Sequence, residues 1–327
     1  GTNSSKGVLI NSQGEIIAEH TTEHAMTNPA PGHYEHDADK DWWGDLCIIS
    51  NALIEKSKVS PSDIKAIGTS ALGADCLPVD DQCRPLRKAI LYGIDARATD
   101  EIEQLTEMYG EEQIRQWYGR PLCSSDVMPK ILWIKNKEPE NFAKINKIML
   151  PKDYIAYKLS GVHCTDVSDA SGMLIFDVEN RCWSKEMIDI CGIKEEQLAK
   201  VFESYEIVGN ITDEIAKELE IPNTVKVVAG AGDNAAAAIG TGTVGDGMCN
   251  ISLGTSGTIF ISSKKFGVDS NNALHSFDHA DGNYHLMGCM LSAASCNKWW
   301  SEEILNTKDY AKEQENINNL GENNVYF

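Results

Sequence analysis

Residues 229–238 read Ala229-Gly230-Ala231-Gly232-Asp233-Asn234-Ala235-Ala236-Ala237-Ala238, the densest run of small residues in the chain. An apolar stretch over 225–229 precedes the run and predicts a buried strand, and the alanines predict a helix over 235–239. Asp233 lies where this helix would begin. Its carboxyl group can cap the helix, which is worth about 1 kcal/mol. It can also act as a general base, because a helix start favours the ionised form and the glycines leave room for a substrate. This stretch alone leaves both roles open.

The sequence on both sides of this run predicts alternating strands and helices. The expected strands are residues 7–10, 15–18 and 64–68, a strand near Val208, residues 225–229, and a second hairpin over 248–262. The expected helices are residues 42–56, 101–109, 128–136, 153–159, 185–191, 195–201, 213–220 and 235–239. This alternation, with a hairpin near each end, predicts α/β layers.

Two Gly-Thr turns lie beside β-branched strands, Gly1-Thr2-Asn3-Ser4 and Gly254-Thr255-Ser256-Gly257. Such turns are most often plain hairpin turns. A pair of them can also bind phosphates, because glycine lets the backbone approach and successive N–H groups and hydroxyls act as donors. No GxxxxGK[ST] motif occurs, which excludes a P-loop protein. Residues 230–235 and 240–245 fit dinucleotide-binding glycine patterns only loosely, since neither has the expected surroundings.

Composition narrows the class of protein. A formal net charge of −20 disfavours nucleic acid as a partner, and no apolar run approaches the roughly 20 residues that a membrane-spanning helix needs. The ten cysteines are scattered and form no CxxC pair, which predicts reduced thiols and a cytoplasmic protein. The spacing of His275, His279 and His285 offers only a weak indication of a metal site.

Several stretches resemble the FGGY family of carbohydrate kinases, and xylulokinases in particular. Residues 1–6 resemble the first phosphate-binding turn, residues 253–257 the second, and residues 232–236 the segment that carries the catalytic aspartate. The similarity covers the whole chain and its motifs are in order. Three further stretches read like xylulokinases: Pro31-Gly32 through Trp42-Trp43, Thr165-Asp166 through Phe176-Asp177, and His285-Leu286-Met287-Gly288 through Trp299-Trp300.

This resemblance implies an α/β fold of the actin-like, ribonuclease H-like type with two domains, residues 1–245 and an incomplete 246–327. It implies ATP and Mg²⁺ as cofactors, a small-molecule sugar as substrate, and compatibility with a homodimer. Asp233 would be the catalytic base and the metal-binding residue, acting on the metal through water. The implied phosphate-binding residues are Gly1, Thr2, Asn3, Ser4, Gly254, Thr255, Ser256 and Gly257, and the implied substrate-binding residues are Asp75, Asp95, Arg97 and Asn234.

The chain departs from the family pattern in three places. The family's first aspartate would lie two residues before Gly1, and the adenine-binding segment would lie beyond Phe327. Gly73-Ala74 stands where xylulokinases usually have Met-His, which puts the identity of the sugar in doubt. For Asp95 and Arg97, a local surface ion pair is the alternative to substrate binding. A catalytically inactive sugar- or nucleotide-binding regulator and an actin-like ATPase are the rival functions.

Overall fold

Short strands alternate with helices in the computed structural model, which describes residues 1–73, 75–118, 120–254, 256–269, 274–290 and 292–315. The strands are β1 Ser4–Ile10, β2 Ile16–Glu23, β3 Glu35–His36, β4 Ala66–Ile67, β5 Ser70–Ala71, β6 Leu77–Val79, β7 Ala89–Ile90, β8 Lys147–Met149, β9 Cys164–Asp166, β10 Phe176–Asp177, β11 Cys182–Trp183, β12 Lys200–Phe202, β13 Ile207–Asn210, β14 Lys226–Val228, β15 Ala231–Gly232, β16 Cys249–Leu253, β17 Gly257–Ser263, β18 His275–Asp278 and β19 Tyr284–Met290.

The α-helices are α1 Asp45–Ser57, α2 Thr99–Tyr109, α3 Glu111–Tyr118, α4 Val127–Lys137, α5 Pro139–Phe142, α6 Pro151–Ser160, α7 Val167–Ala170, α8 Lys185–Cys191, α9 Asp213–Glu218, α10 Asp233–Gly240, α11 Ala294–Trp299 and α12 Tyr310–Gln314. Wider π-helical turns span Ala38–Gly44 and Trp300–Ile304, and 3₁₀ turns span Pro61–Asp63, Ser171–Met173 and Glu195–Gln197. Within the described residues, none of the helices is long and apolar enough to cross a membrane.

The strands form several small sheets along the chain. Near the start, β1 and β2 form an antiparallel hairpin. In the middle, β14 pairs with β13 antiparallel and with β4 in parallel, and β15 pairs in parallel with β5. Towards the end, β16, β17, β19 and β18 form an antiparallel sheet in that order. Parallel pairs in the middle and hairpins at the ends match the predicted α/β layers.

Two apolar clusters form most of the core. One surrounds α4, whose residues Met128, Ile131 and Ile134 are almost completely buried. These positions recur every three residues, so they lie on one helical face. The other cluster lies between α6, the Ala38–Gly44 turn and β13–β14. Both clusters precede residue 230, so the segment with Asp233 lies against an already buried scaffold.

The late four-stranded sheet has its own small core around Phe260. The ring of Phe260 stacks on His285 at a centroid distance of 3.9 Å and meets His279 edge-on at 4.9 Å. These two histidines are buried packing partners in the structure. All ten cysteines of the chain are free thiols.

Most predicted elements are present with shifted ends, but one predicted helix and one of the two roles left open for Asp233 are wrong. Residues 195–201 were expected to be helical, but only Glu195–Gln197 forms a turn, and β12 follows and pairs in parallel with β9. Tertiary pairing therefore overrides the helical pattern, since Val201 and Phe202 also favour a strand. Asp233 is not the helix cap: Gly232 holds that position, in an extended conformation, and Asp233 is the first helical residue.

Candidate active site

The glycines before Asp233 allow two chain segments to approach each other closely. Gly230 has φ +77°, a backbone conformation that residues other than glycine rarely adopt. A Cβ there would overlap the carbonyl oxygen of Thr69. Directly after Gly230, β15 pairs with β5, and Asp233 follows as the first residue of α10. The position of Asp233 therefore depends on the absence of a side chain at Gly230.

The Asp233 carboxyl group is accessible to solvent, while protein surrounds it on most sides. This partial withdrawal from water raises its pKa, and a hydrogen bond from the backbone N–H of Asn234 to Oδ1, at 2.7 Å, opposes the increase. The Asn234 side chain donates a second bond to the same oxygen at 3.0 Å. A carboxylate with a raised pKa is a stronger proton acceptor, which suits a general base.

Asn234 also connects Asp233 to the second Gly-Thr turn. Its Oδ1 accepts a bond from Thr258 Oγ1 at 3.4 Å, and Thr258 directly follows Gly257 at the start of β17. The turn also contacts the start of α11, because the carbonyl of Gly254 accepts a hydrogen bond from the N–H of Ala294 at 2.9 Å. Thr255 lies outside the described residues, as does Ala74 of the Gly73-Ala74 pair.

The first Gly-Thr turn lies near Asp233, because the backbone nitrogen of Gly1 is within electrostatic reach of Asp233 and Asp75. The carbonyl of Thr2 accepts a bond from His36 Nε2 at 3.0 Å, and the Thr2 hydroxyl lies 3.1 Å from the hydroxyl of Tyr92. Ser4 then begins β1. Each turn thus comes immediately before a strand, as the internal similarity of the sequence suggested.

Asp95 and Arg97 form a buried ion pair. Arg97 Nε donates to both Asp95 oxygens, at 2.9 and 3.0 Å, and one of its terminal nitrogens donates to Glu35 at 2.9 Å. The guanidinium carbon lies 5.0 Å from the ring centroid of Trp133. The alternative of a local surface pair is therefore wrong about the surface, since the exposed fractions are 2% and 7%. Their role in substrate binding stays a prediction.

A second buried network supports the backbone that leads to Asp233. Lys152 Nζ lies 2.7 Å from Asp153 Oδ1, 2.9 Å from Asp166 Oδ1 and 3.5 Å from Asp169 Oδ2. Ser168 Oγ donates to Asp166 Oδ2 at 2.6 Å and accepts the N–H of Gly232 at 3.0 Å. The residue next to Asp233 is thereby held by a charged, water-excluded cluster.

The described residues fit a magnesium ion that is bound through one protein carboxylate. They contain no group of three or more His, Cys, Asp or Glu side chains that could hold a metal. Mg²⁺ commonly binds through one or two carboxylates together with waters and substrate phosphates. Asp233, an accessible carboxylate near two Gly-Thr turns, fits that mode of binding.

A comparison with protein families agrees with this geometry. The model of the N-terminal domain of the FGGY family of carbohydrate kinases matches residues 1–240. The chain belongs to this family. Its similar proteins include xylulose kinases. The xylulose kinase of Escherichia coli (strain K12) is 37% identical over 300 residues, which are 91% of this chain and 60% of that protein.

Solved structures give the same picture of the FGGY fold. The kinase from Brucella ovis described as a xyloylose kinase has a TM-score of 0.88 at 31% identity, covering 99% of this chain and 65% of that one. The gluconate kinase from Lactobacillus acidophilus has a TM-score of 0.85 at 25% identity, covering 91% and 60%. These matches confirm the predicted actin-like, ribonuclease H-like fold. The chain spans about 60% of the length of the curated relative from E. coli.

Some of the predicted site residues lie near one another in the structure, and a supporting network was not predicted. Asn234 contacts Asp233 and Thr258, which follows the second turn, while Gly1 and Asp75 are within electrostatic reach of Asp233. The network of Lys152 and Ser168 was missed. Its only signal in the sequence was Lys152 beside Asp153, with further acids at 166 and 169, and that signal does not show which residues meet.

Proposed function

We propose that the protein is an ATP-dependent carbohydrate kinase that phosphorylates a primary hydroxyl of a pentulose or of a related sugar or polyol. The observation that carries this proposal is the Asp233 carboxyl group, which is accessible, has a raised pKa and is linked through Asn234 to one of two Gly-Thr turns. The xylulose kinases among its relatives support a pentulose as the substrate.

In the proposed reaction, Asp233 accepts the proton of the sugar hydroxyl as the hydroxyl oxygen attacks the γ-phosphorus of ATP. The bond from that phosphorus to the bridging oxygen of ADP breaks, and ADP leaves. Backbone N–H groups and hydroxyls of residues 1–4 and 254–257 would hold the phosphates. Mg²⁺, when bound near Asp233, would neutralise phosphate charge in this acidic site.

The remaining assignments belong to the same proposal. The sugar side of the site would be formed by Asp75, Asn234, Asp95 and Arg97. The last two are buried and would support the residues that line the sugar site. The division into domains at residue 245, a homodimer and a cytoplasmic location remain predictions.

The test is sugar-dependent release of ADP by the full-length protein with Mg²⁺ and ATP, over a panel of ketoses and polyols. Asp233→Asn should lower kcat by at least about 100-fold, because a general base contributes roughly 10²–10⁴-fold. Asp213→Asn is the matched control, since Asp213 is also the first residue of a helix and is exposed on α9.

Three outcomes would contradict the proposal. Turnover of ATP that no sugar stimulates would favour an ATPase. Binding of sugar or nucleotide without any turnover would favour a regulator. Activity that survives in Asp233→Asn, at the level of Asp213→Asn, would remove Asp233 from the reaction.

A further inference from the structure

Asp75 has a buried carboxylate oxygen that lacks a partner. The residue is 0% exposed, and its Oδ1 accepts the N–H of Tyr92 at 2.7 Å. Its Oδ2 finds no hydrogen-bond donor among the described residues. A buried acceptor without a donor costs free energy, so such groups are rare and usually have a reason.

A lysine partly balances the charge of Asp75. Lys130, on α4, is 1% exposed and is the strongest favourable electrostatic partner of the Asp75 carboxyl group. Burial raises the pKa of Asp75, and the positive charge of Lys130 opposes this increase and favours the carboxylate.

Asp75 lies near Asp233. Its carboxyl group is within electrostatic reach of Asp233 and of the nitrogen of Gly1. Nearby, the backbone of Gly93 packs so closely on Ser125 that a Cβ at Gly93 would overlap the serine hydroxyl. The Ser124 hydroxyl donates to the carbonyl of Gly93 at 2.8 Å. The backbone beside Tyr92, whose N–H bonds to Asp75, is therefore closely packed.

We propose that Asp75 Oδ2 accepts a hydrogen bond from a hydroxyl of the sugar, and that it selects uncharged ketoses and alditols over sugar acids. This inference rests on the proposed kinase function. A hydroxyl supplies the donor that Oδ2 lacks. A substrate carboxylate cannot donate, and it would bring a third negative group towards Asp75 and Asp233, which like-charge repulsion disfavours.

The experiment compares D-xylulose, its monodeoxy analogues, xylitol, D-xylonate and D-gluconate as substrates of the full-length protein. We expect wild type to use the neutral compounds and to reject both acids. Asp75→Asn keeps an oxygen for the N–H of Tyr92 and replaces the open acceptor with a donor. It should lower kcat/KM on neutral sugars by about 10- to 100-fold, mostly through KM, because one hydrogen bond to a charged acceptor is lost.

The deoxy analogues separate a direct contact from a structural role. In wild type, one monodeoxy analogue should lose about the same factor in kcat/KM as the Asp75→Asn variant does. In Asp75→Asn that analogue should lose little more, because its hydroxyl no longer has the acceptor. A purely structural role would lower every substrate equally and leave the ratio of neutral to acidic substrates unchanged. Asp81→Asn, at an exposed position in the same segment, is the control.

The outcomes distinguish this inference from the kinase proposal. If wild type releases ADP with no sugar, both fail. If wild type is an active kinase that prefers D-gluconate or D-xylonate, or if Asp75→Asn keeps the wild-type selectivity, the inference fails and the kinase proposal stands. Should Asp75→Asn not fold, the preference of wild type between D-xylulose and D-xylonate still decides.

Discussion

Replacing Lys152 with methionine removes the cation from a cluster of three buried carboxylates. The side chains of Lys152, Asp153, Asp166 and Asp169 are between 0% and 2% exposed, and the lysine nitrogen lies within 3.5 Å of an oxygen of each acid. Methionine fills most of the same volume, so the loss is mainly electrostatic. Removing one partner from a buried pair costs about 3–5 kcal/mol, and we expect a decrease of about 4 kcal/mol in the free energy of unfolding.

The loss should depend on pH, and the direction follows from the acids. Burial raises the pKa of Asp153 and Asp169, and Lys152 opposes the increase. Without the lysine, both values should rise further. A carboxyl group whose pKa is higher in the folded protein stabilises the fold below its unfolded pKa, and that contribution is lost as pH rises through the folded pKa. The variant should therefore be less impaired at pH 5 than at pH 8.

Urea unfolding at the two pH values, followed by tryptophan fluorescence, measures this effect. The midpoint at pH 8 should fall by roughly 1–2 M, given slopes of about 2–3 kcal/mol per M. Lys194→Met is the matched control, because Lys194 is paired with Glu196 at 3.6 Å but both side chains are about three-quarters exposed. It should change the free energy by less than about 1 kcal/mol. A loss at Lys152 no larger than at Lys194, or equal at both pH values, would refute the reasoning.

Two further substitutions test how the backbone before Asp233 is held. Ser168→Ala removes the acceptor of the Gly232 N–H and should lower kcat with little change in KM. Ser204→Ala is the control, because its hydroxyl donates to Asp166, as that of Ser168 does, and its loss should reduce stability while keeping kcat. Equal kcat in both variants would argue against a positioning role for Ser168. Gly230→Ala should lower the free energy of unfolding by at least about 2 kcal/mol, because of the positive φ and the overlap with the backbone of Thr69. Gly240→Ala, at the end of α10 with open space around it, should leave the melting temperature unchanged. Similar melting temperatures for the two variants would contradict the close approach at Gly230.

Local patterns predicted much of the fold because they act over a few residues. The hairpins near both ends, the helix predicted over 153–159 and observed over Pro151–Ser160, and the strand before the small-residue run all depend on turn chemistry and apolar spacing. The strand β12 was missed because the helical pattern of 195–201 competes with a parallel pairing to β9, about 35 residues earlier. Val201 and Phe202 favour a strand, but nothing in the segment itself specifies its partner β9.

The candidate site divides in the same way. The sequence by itself identified Asp233 between a strand and a helix, the two Gly-Thr turns and the family, because each is a short contiguous motif. Only the tertiary structure decided that Lys152 meets three aspartates, that Ser168 holds Gly232, and that Asp75 keeps an open acceptor. These are contacts between distant segments, and their chemistry depends on burial, which raises the pKa of a carboxyl group only once the chain has folded around it.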